Sequence, residues 1–526
     1  MVGGGSAGCV VASRLSEDPS IHVCLLEAGD AGKGALVRAP LGFAAGVPRG
    51  IHSWHYQTVP QPGLNGRRGF QPRGKALGGS SAINAMVYAR GHRSDFDGWA
   101  ASGNQGWSYE DVLPYFRKSE NNENFVDAHY HGKGGPLNVM HLRSPSRMND
   151  VFLDACQATG IPLNLDYNGR EHFGCWPAQV TQKAGERCSA AAAFIHPNLD
   201  RPNLHVRTQA HCKRLIVESG RVTGVEFWLG GDVRRVRARR EVIVSGGAYG
   251  SPQILMTSGI GPAEHLRELG LPVHRDMPGV GANLQDHITA VLIYRSPRNH
   301  ETFGISAKGV AKAVSAIGEW RNRRTGMLTS NAAESGAFLR TDPAVDAPDI
   351  ELEFVVGIVD DHARKQHLGH GYSLHVTLSR PKSVGSVKLA SADPRAMPLI
   401  DPHYFSHPDD MKTLVKGTQI ALDIMHAGPF DRCRGKTLTP FKRDDPVQIE
   451  GMLRDTADTE YHPCGTCRMG PDTDPMAVVD AQLRVKGIDG LRVADASIMP
   501  AITSNNTNAP SIMIGEKCAD MIRTRA

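Results

Sequence analysis

The 526-residue chain predicts an α/β fold, with a nucleotide-binding domain wound from both ends of the sequence and interrupted by an α+β domain built on an antiparallel sheet. Three observations predict it. A glycine-rich turn opens the chain and leads into a helix, a strand and an acid. A second strand, glycine turn and helix begins at residue 241. From about 295 to 454 the texture changes to apolar strands beside long helical segments. The expected division is therefore 1–294 with 455–526 for the nucleotide domain and 295–454 for the inserted substrate domain. A chain of this length is too long for one compact core, and its 40% apolar content suits a globular protein.

Taken in order, Gly3-Gly4-Gly5-Ser6-Ala7-Gly8 fits G-x-G-x-x-G, a helix over 9–15 follows, and Asp18-Pro19 ends it before a strand over 21–26 that stops at Glu27. Gly3 permits the tight turn, Gly5 lets backbone approach a pyrophosphate, and Gly8 lets helix and strand pack closely. The helix start supplies amide donors, and Glu27 stands where an acid accepts ribose hydroxyls. The motif says dinucleotide without saying which. The strand that should precede the turn is reduced to Met1-Val2, against a usual length of about five or six residues in the middle of such a sheet. A truncated or mis-started chain is the expectation, with a native mass above that of this sequence.

Residues 73–88 form a second stretch of small residues, either a tight packing loop or a place where backbone meets a flat ring or a phosphate. Strands at 213–218, 222–229 and 233–238, parted by Ser219-Gly220 and Gly230-Gly231, read as a meander. A strand over 241–245 leads through Gly246-Gly247-Ala248 to a helix from Ser251. In the insertion, 350–356, 372–378 and 386–389 are strand-like, the last two joined through 381–385, and 411–425 is helical. The tail returns to the nucleotide domain with a strand over 491–494, a loop through Pro500 and a helix over 511–522.

Lys and Arg exceed Asp and Glu by five, and they are dispersed, so no surface for nucleic acid is expected. No run reaches the roughly eighteen apolar residues of a membrane span, and the N-terminus lacks a signal peptide's regions. A cytoplasmic location is expected, with peripheral membrane attachment left open. Cys464 and Cys467 have redox-motif spacing but neither a βαβ context nor a second pair, so no metal or disulfide role is expected. Near the C-terminus, His462-Pro-Cys-Gly-Thr466 and Ser504-Asn-Asn-Thr-Asn-Ala509 bring a histidine and several amides to loops flanking the strand that ends at Asp495. Open α/β sheets place their ligands at such strand ends.

These residues resemble the glucose–methanol–choline oxidoreductases along nearly the whole chain. The match is carried by Gly3 to Glu27, Gly78-Gly-Ser-Ser-Ala-Ile-Asn84, Gly246-Gly-Ala-Tyr-Gly-Ser-Pro-Gln-Ile-Leu255 with Ser258-Gly-Ile-Gly-Pro262, Pro278-Gly-Val-Gly-Ala-Asn-Leu-Gln-Asp-His287 and Ala494-Asp-Ala-Ser-Ile-Met-Pro500. The choline dehydrogenase and alcohol dehydrogenase branch is the most similar. The resemblance implies a Rossmann-like domain holding FAD, with cofactor contacts at Gly3, Gly5, Ser6, Ala7, Gly8, Glu27, Ala28, Gly78, Gly79, Ser80, Asn84, Ala85, Met86, Val87, Cys212, Asp495, Ala496 and Thr507. It implies His462 as catalytic histidine with Asn506 beside it. Ile83 stands where choline oxidase links a histidine to FAD, and it has no nucleophile, so a non-covalent flavin is expected. Glu334 matches a carboxylate near choline's ammonium group in that enzyme, and it is read equally as a structural acid.

The reaction so implied is oxidation of a small-molecule alcohol to an aldehyde or ketone. A neutral imidazole, ordinarily titrating near about 6.5, takes the hydroxyl proton while hydride leaves for the flavin. A quinone-like electron acceptor is preferred and oxygen is the alternative; the oligomeric state is not readable. The rivals are a hydroxynitrile lyase keeping FAD as structure, a degenerate flavoprotein fold, and, least favoured, a nicotinamide enzyme.

Overall fold

The computed structural model describes residues 1–297 and 301–524. Its centre is a parallel sheet in which Leu204–Arg207, Val23–Leu26, the single residue Val2, Val242–Val244 and Leu491–Val493 lie side by side. The short N-terminus takes the middle place. Val2 N–H donates to Ile243 O at 2.9 Å, and its carbonyl accepts from Ser245 N–H at 2.7 Å. On its other edge, Leu26 N–H donates to Met1 O at 3.0 Å and Gly3 N–H to Leu26 O at 2.8 Å. Val2 is thus the one residue paired to both neighbours, with Met1 and Gly3 completing the bonds on the Leu26 side.

The helix Ser6–Leu15 covers this sheet beside the last helix, Asn508–Arg523. Both are buried on nearly every side, which explains their small and apolar composition. They touch at Gly515, where an added Cβ would stand 2.7 Å from Ala7 O, so the two ends of the chain form one packed unit. The meander is present as His211–Glu218, Arg221–Leu229 and Asp232–Arg237. The second glycine turn leads into a helix that starts at Gly247, earlier than the expected Ser251, and carries Pro252 within it.

A seven-stranded sheet forms the other half of the molecule. Its order is Asp458–Thr459, Ile288–Arg295, Gly369–Leu378, Ile350–Val355, Ala333–Leu339 and Gly174–Pro177, with Gly304–Ile305 pairing to Gly369–Leu378. The pairings are antiparallel. Strands 174–177 and 458–459 come from outside the expected 295–454, and 288–295 crosses its edge, because the sheet recruits neighbours on both sides of the insertion. Residues Ser386–Lys388 do not join it. They pair with Leu399–Asp401 in a separate ribbon, where Gly385 passes so close to Asp401 O that a Cβ would lie 1.8 Å away.

Along Ile350–Val355 side chains alternate between faces. Leu352 and Phe354 enter an apolar core with Phe152, Leu414 and Ile449 from the helices Met148–Ala158, Pro408–His426 and Pro446–Thr456. Glu353 and Val355 face the other way and help line a cavity that also reaches Val2 and Leu26 of the parallel sheet and Ser245 just past its strand Val242–Val244.

Candidate active site

That cavity has a volume of about 380 Å³ and runs from the first glycine turn to the loops around His462. At its head Gly3 adopts φ +97°, and an added Cβ would lie 2.3 Å from Ser245 O, so only glycine fits. Gly5 caps the helix whose first residues, Ser6 and Ala7, open onto the cavity. Glu27 also faces it, held by Gly4 N–H at 2.8 Å and Gly29 N–H at 2.7 Å. Burial pushes its carboxyl up to about 7 despite those two donors. Ala28 and Cys212 line the same end.

Two predicted glycines act from behind the wall. A Cβ on Gly8 would meet Gly3 O at 2.1 Å, so Gly8 seats the helix on the turn. Gly78, at φ +98°, donates its N–H to Gly4 O at 2.7 Å. The following residues cross the cavity. Gly79 packs on Gly5, a Cβ there standing 2.7 Å from Gly5 Cα, and Ser80, Asn84, Ala85, Met86 and Val87 line the wall beyond it. Ala85 O accepts from Asn331 Nδ2 at 2.9 Å. Opposite, Asp495 accepts from Gly247 N–H at 2.9 Å, Ser251 Oγ–H at 2.5 Å and Ser497 N–H at 2.8 Å, and Ala496 and Thr507 continue the wall.

At the far end His462 is gripped twice by the segment ending at His287. Asp286 accepts the His462 N–H at 2.9 Å while bonding Tyr404 and Thr459 hydroxyls, and the two imidazoles meet Nδ1 to Nδ1 at 3.0 Å. The other nitrogen of His287 lies 3.1 Å from Ser379 O, a pure acceptor, so His287 Nε2 carries the proton and its Nδ1 is bare. A bare Nδ1 can only accept. His462 therefore donates from Nδ1, and its Nε2 keeps a lone pair on the cavity side. Asn506 Nδ2 approaches that Nε2 at 3.2 Å. Burial, then His287 and Arg73, hold the His462 pKa well below the ordinary imidazole value, and burial brings His287 down to about 4.

Sequence reading did not find the acids here. Glu353 lies 3.4 Å from Asn506 Nδ2, and Glu460 lies 3.3 Å from His375 Nδ1. Burial and then Glu460 push Glu353 up to about 8, whereas the paired Glu460 lies below its usual range and His375 above its own. The alternating acids of Ile-Glu-Leu-Glu-Phe-Val were the available signal. Glu334, expected near substrate, lies outside the cavity wall. It is 1% exposed and accepts from Ser146 N–H at 2.6 Å, Asn149 Nδ2 at 2.7 Å and the Ser330 hydroxyl.

Ser245 Oγ, Asn331 Oδ1 and Asn506 Oδ1 are buried at the wall without a protein partner. Polar atoms of this kind, beside glycine surfaces and a helix start, suit a long ligand with phosphates at one end and a heteroaromatic ring at the other. Fold and site together define a dinucleotide-binding protein whose cavity ends at a buried histidine pair. Family models described as GMC oxidoreductase match residues 1–289 and 381–515. An alcohol dehydrogenase [acceptor] of Pseudomonas putida is 42% identical over 99% of this chain and 95% of its own. An oxygen-dependent choline dehydrogenase of Rhizobium meliloti (strain 1021) is 41% identical over 100% and 95%. The solved formate oxidase of Aspergillus oryzae RIB40, studied for its FAD modification, superposes with a TM-score of 0.91 at 28% identity over 100% and 97%. The chain belongs to the GMC oxidoreductase family, uses FAD, and oxidises substrates of the alcohol type. Among the described residues no helix is long and apolar enough to cross a membrane.

Proposed function

We propose that this protein oxidises an alcohol to an aldehyde or ketone, with His462 as the base and a quinone-like compound as final electron acceptor. Bound FAD supplies the hydride acceptor. Gly3, Gly5, Ser6 and Ala7 would hold its pyrophosphate, Glu27 a ribose, Ala28 and Cys212 the adenine end, and residues 79–87 with Asp495, Ala496 and Thr507 the flavin half. Ile83 lines the same wall and offers no nucleophile, so attachment is non-covalent.

The observation that carries this reading is the bare Nε2 of His462. The chain Ser379, His287, His462 leaves that lone pair facing the cavity, and burial keeps the ring neutral at working pH. His462 Nε2 takes the hydroxyl proton. Asn506 donates from Nδ2 to the substrate oxygen, exchanging its contact with His462 for one that aligns the reacting carbon. Glu353 is neutral, Glu460 is offset by His375, and Arg73 also lines the cavity, so no net negative charge faces the substrate. This favours an uncharged alcohol over a quaternary ammonium one.

The experiment is anaerobic mixing with a panel of primary alcohols and choline, followed by addition of a quinone analogue or air. Flavin bleaching by uncharged alcohols and reoxidation by the quinone are expected. His462→Ala lowers the bleaching rate about a hundredfold or more while retaining FAD. An unchanged rate in that variant removes His462 from the chemistry, and a flavin that no alcohol bleaches removes the oxidation itself.

A further inference from the structure

Among the described residues Arg187 is a buried cation with no carboxylate against it. It is 4% exposed, and every hydrogen bond of its guanidinium reaches an amide oxygen: Val37 O at 3.0 Å, Ser81 O at 3.2 Å, Pro40 O at 3.5 Å, and Asn84 O and Oδ1 at 2.7 and 2.8 Å. The adjacent acid, Glu186, is engaged elsewhere, with Arg38 at 3.1 Å and Arg324 at 3.0 Å. Burial lowers the Arg187 pKa to about 9, which leaves it charged at neutral pH. An unpaired buried charge opposes folding strongly unless something in its surroundings answers it. Carbonyl dipoles answer part of it here.

One of those acceptor residues, Asn84, also lines the cavity. It stands next to Ala85, whose carbonyl Asn331 holds, near the end of the stretch that starts where Gly79 packs on Gly5. Oδ1 of Asn84 is fixed between Arg187 Nη1 and Met86 N–H, at 2.8 and 3.1 Å, which turns the amide N–H end of this cavity-lining side chain away from Arg187.

We propose that Arg187 is a positioning and redox-tuning residue, a fixed positive charge one residue behind the cavity wall that raises the reduction potential of the bound flavin and turns the Asn84 N–H towards it. This rests on the flavin placement proposed above. Hydride leaving the alcohol carbon carries two electrons and one proton nucleus to the flavin, while the hydroxyl proton goes to His462. The flavin thereby gains one unit of negative charge. A nearby cation that water does not screen favours that charged product over the neutral oxidised form.

The test compares Arg187→Lys and Arg187→Gln holoenzymes, which both keep a donor for Asn84 and differ in charge. The readouts are the flavin midpoint potential against a reference dye and the dissociation constant of sulfite, whose flavin adduct is also anionic. The Lys form is expected within about threefold of the unsubstituted protein. In the Gln form the two-electron reduction equilibrium falls at least tenfold, about 30 mV, and sulfite binding weakens by a similar factor. Equal potentials and equal sulfite constants in the two variants overturn the proposal, since a purely structural clamp would alter stability without moving either. Should the Gln form not retain FAD, the Lys form decides alone. A buried lysine loses its proton at lower pH than a guanidinium, so its potential must fall away from that of the unsubstituted protein as pH rises. Parallel curves would refute the charge effect. None of these measurements uses an alcohol, so they stand apart from the fate of the His462 assignment.

Discussion

Replacing His287 by phenylalanine removes the acceptor of the His462 Nδ1–H and with it the bond that selects the tautomer. Turnover with an alcohol is expected to fall at least about tenfold, a share of the roughly hundredfold or more that a general base contributes, with FAD content unchanged. The same pairing sets a pH limit. A base buried neutral, with its pKa held well below the ordinary imidazole value, stays competent as pH falls. The acid limb of kcat/KM in the unsubstituted protein therefore lies below about 6.5. In the sequence His462 is recognisable as a reactive candidate because amides and a strand end lie near it in the tail. His287 is not, because 175 residues separate it from His462 and only the folded loops bring the rings together.

In the strand Ile350–Val355 the period of two sends Leu352 and Phe354 to one core and Glu353 to the cavity, so one element packs on one face and lines the cavity with the other. Glu353 rises from an ordinary 4.5 to about 8 on folding, burial first and Glu460 second. The folded chain then keeps a proton that the unfolded chain releases, and this carboxyl contributes stability at low pH that is lost as pH climbs towards 8. Glu353→Gln does not titrate. Its melting temperature relative to the unsubstituted protein is expected to rise by roughly a few degrees between pH 5 and pH 8, as read by calorimetry. A flat difference would mean that Glu353 ionises freely in the fold. The strand itself was legible from its apolar alternation. Which face met a core and which met a cavity was not, since both faces are buried and alternation alone does not name the neighbour.

At the scale of the whole molecule the cavity is walled by the first turn, the 79–87 stretch, the 246–250 turn, the antiparallel sheet and the tail, so a ligand there ties both ends of the chain to the inserted sheet. Removing FAD by acid ammonium sulfate should lower the melting temperature by several degrees, and adding it back should restore it, because saturation at a hundred times Kd stabilises by about 2.7 kcal/mol. Acid precipitation should release all yellow colour, and colour kept in the pellet would disprove non-covalent attachment. By itself the sequence determined the nucleotide turn, the meander, the long helices and the tail unit, because glycine conformation, hydrophobic period and helix punctuation act between near neighbours. It also marked His462 and Asn506. Only the tertiary structure decided that Val2 alone bridges the middle of the parallel sheet, that 386–388 leaves the antiparallel one, that Glu334 is hydrogen-bonded away from the cavity while Glu353 faces it, that His287 meets His462, and that Arg187 meets Asn84. Those outcomes depend on contacts between residues tens to hundreds of positions apart, whose distances and desolvation do not exist until the two sheets close on one another.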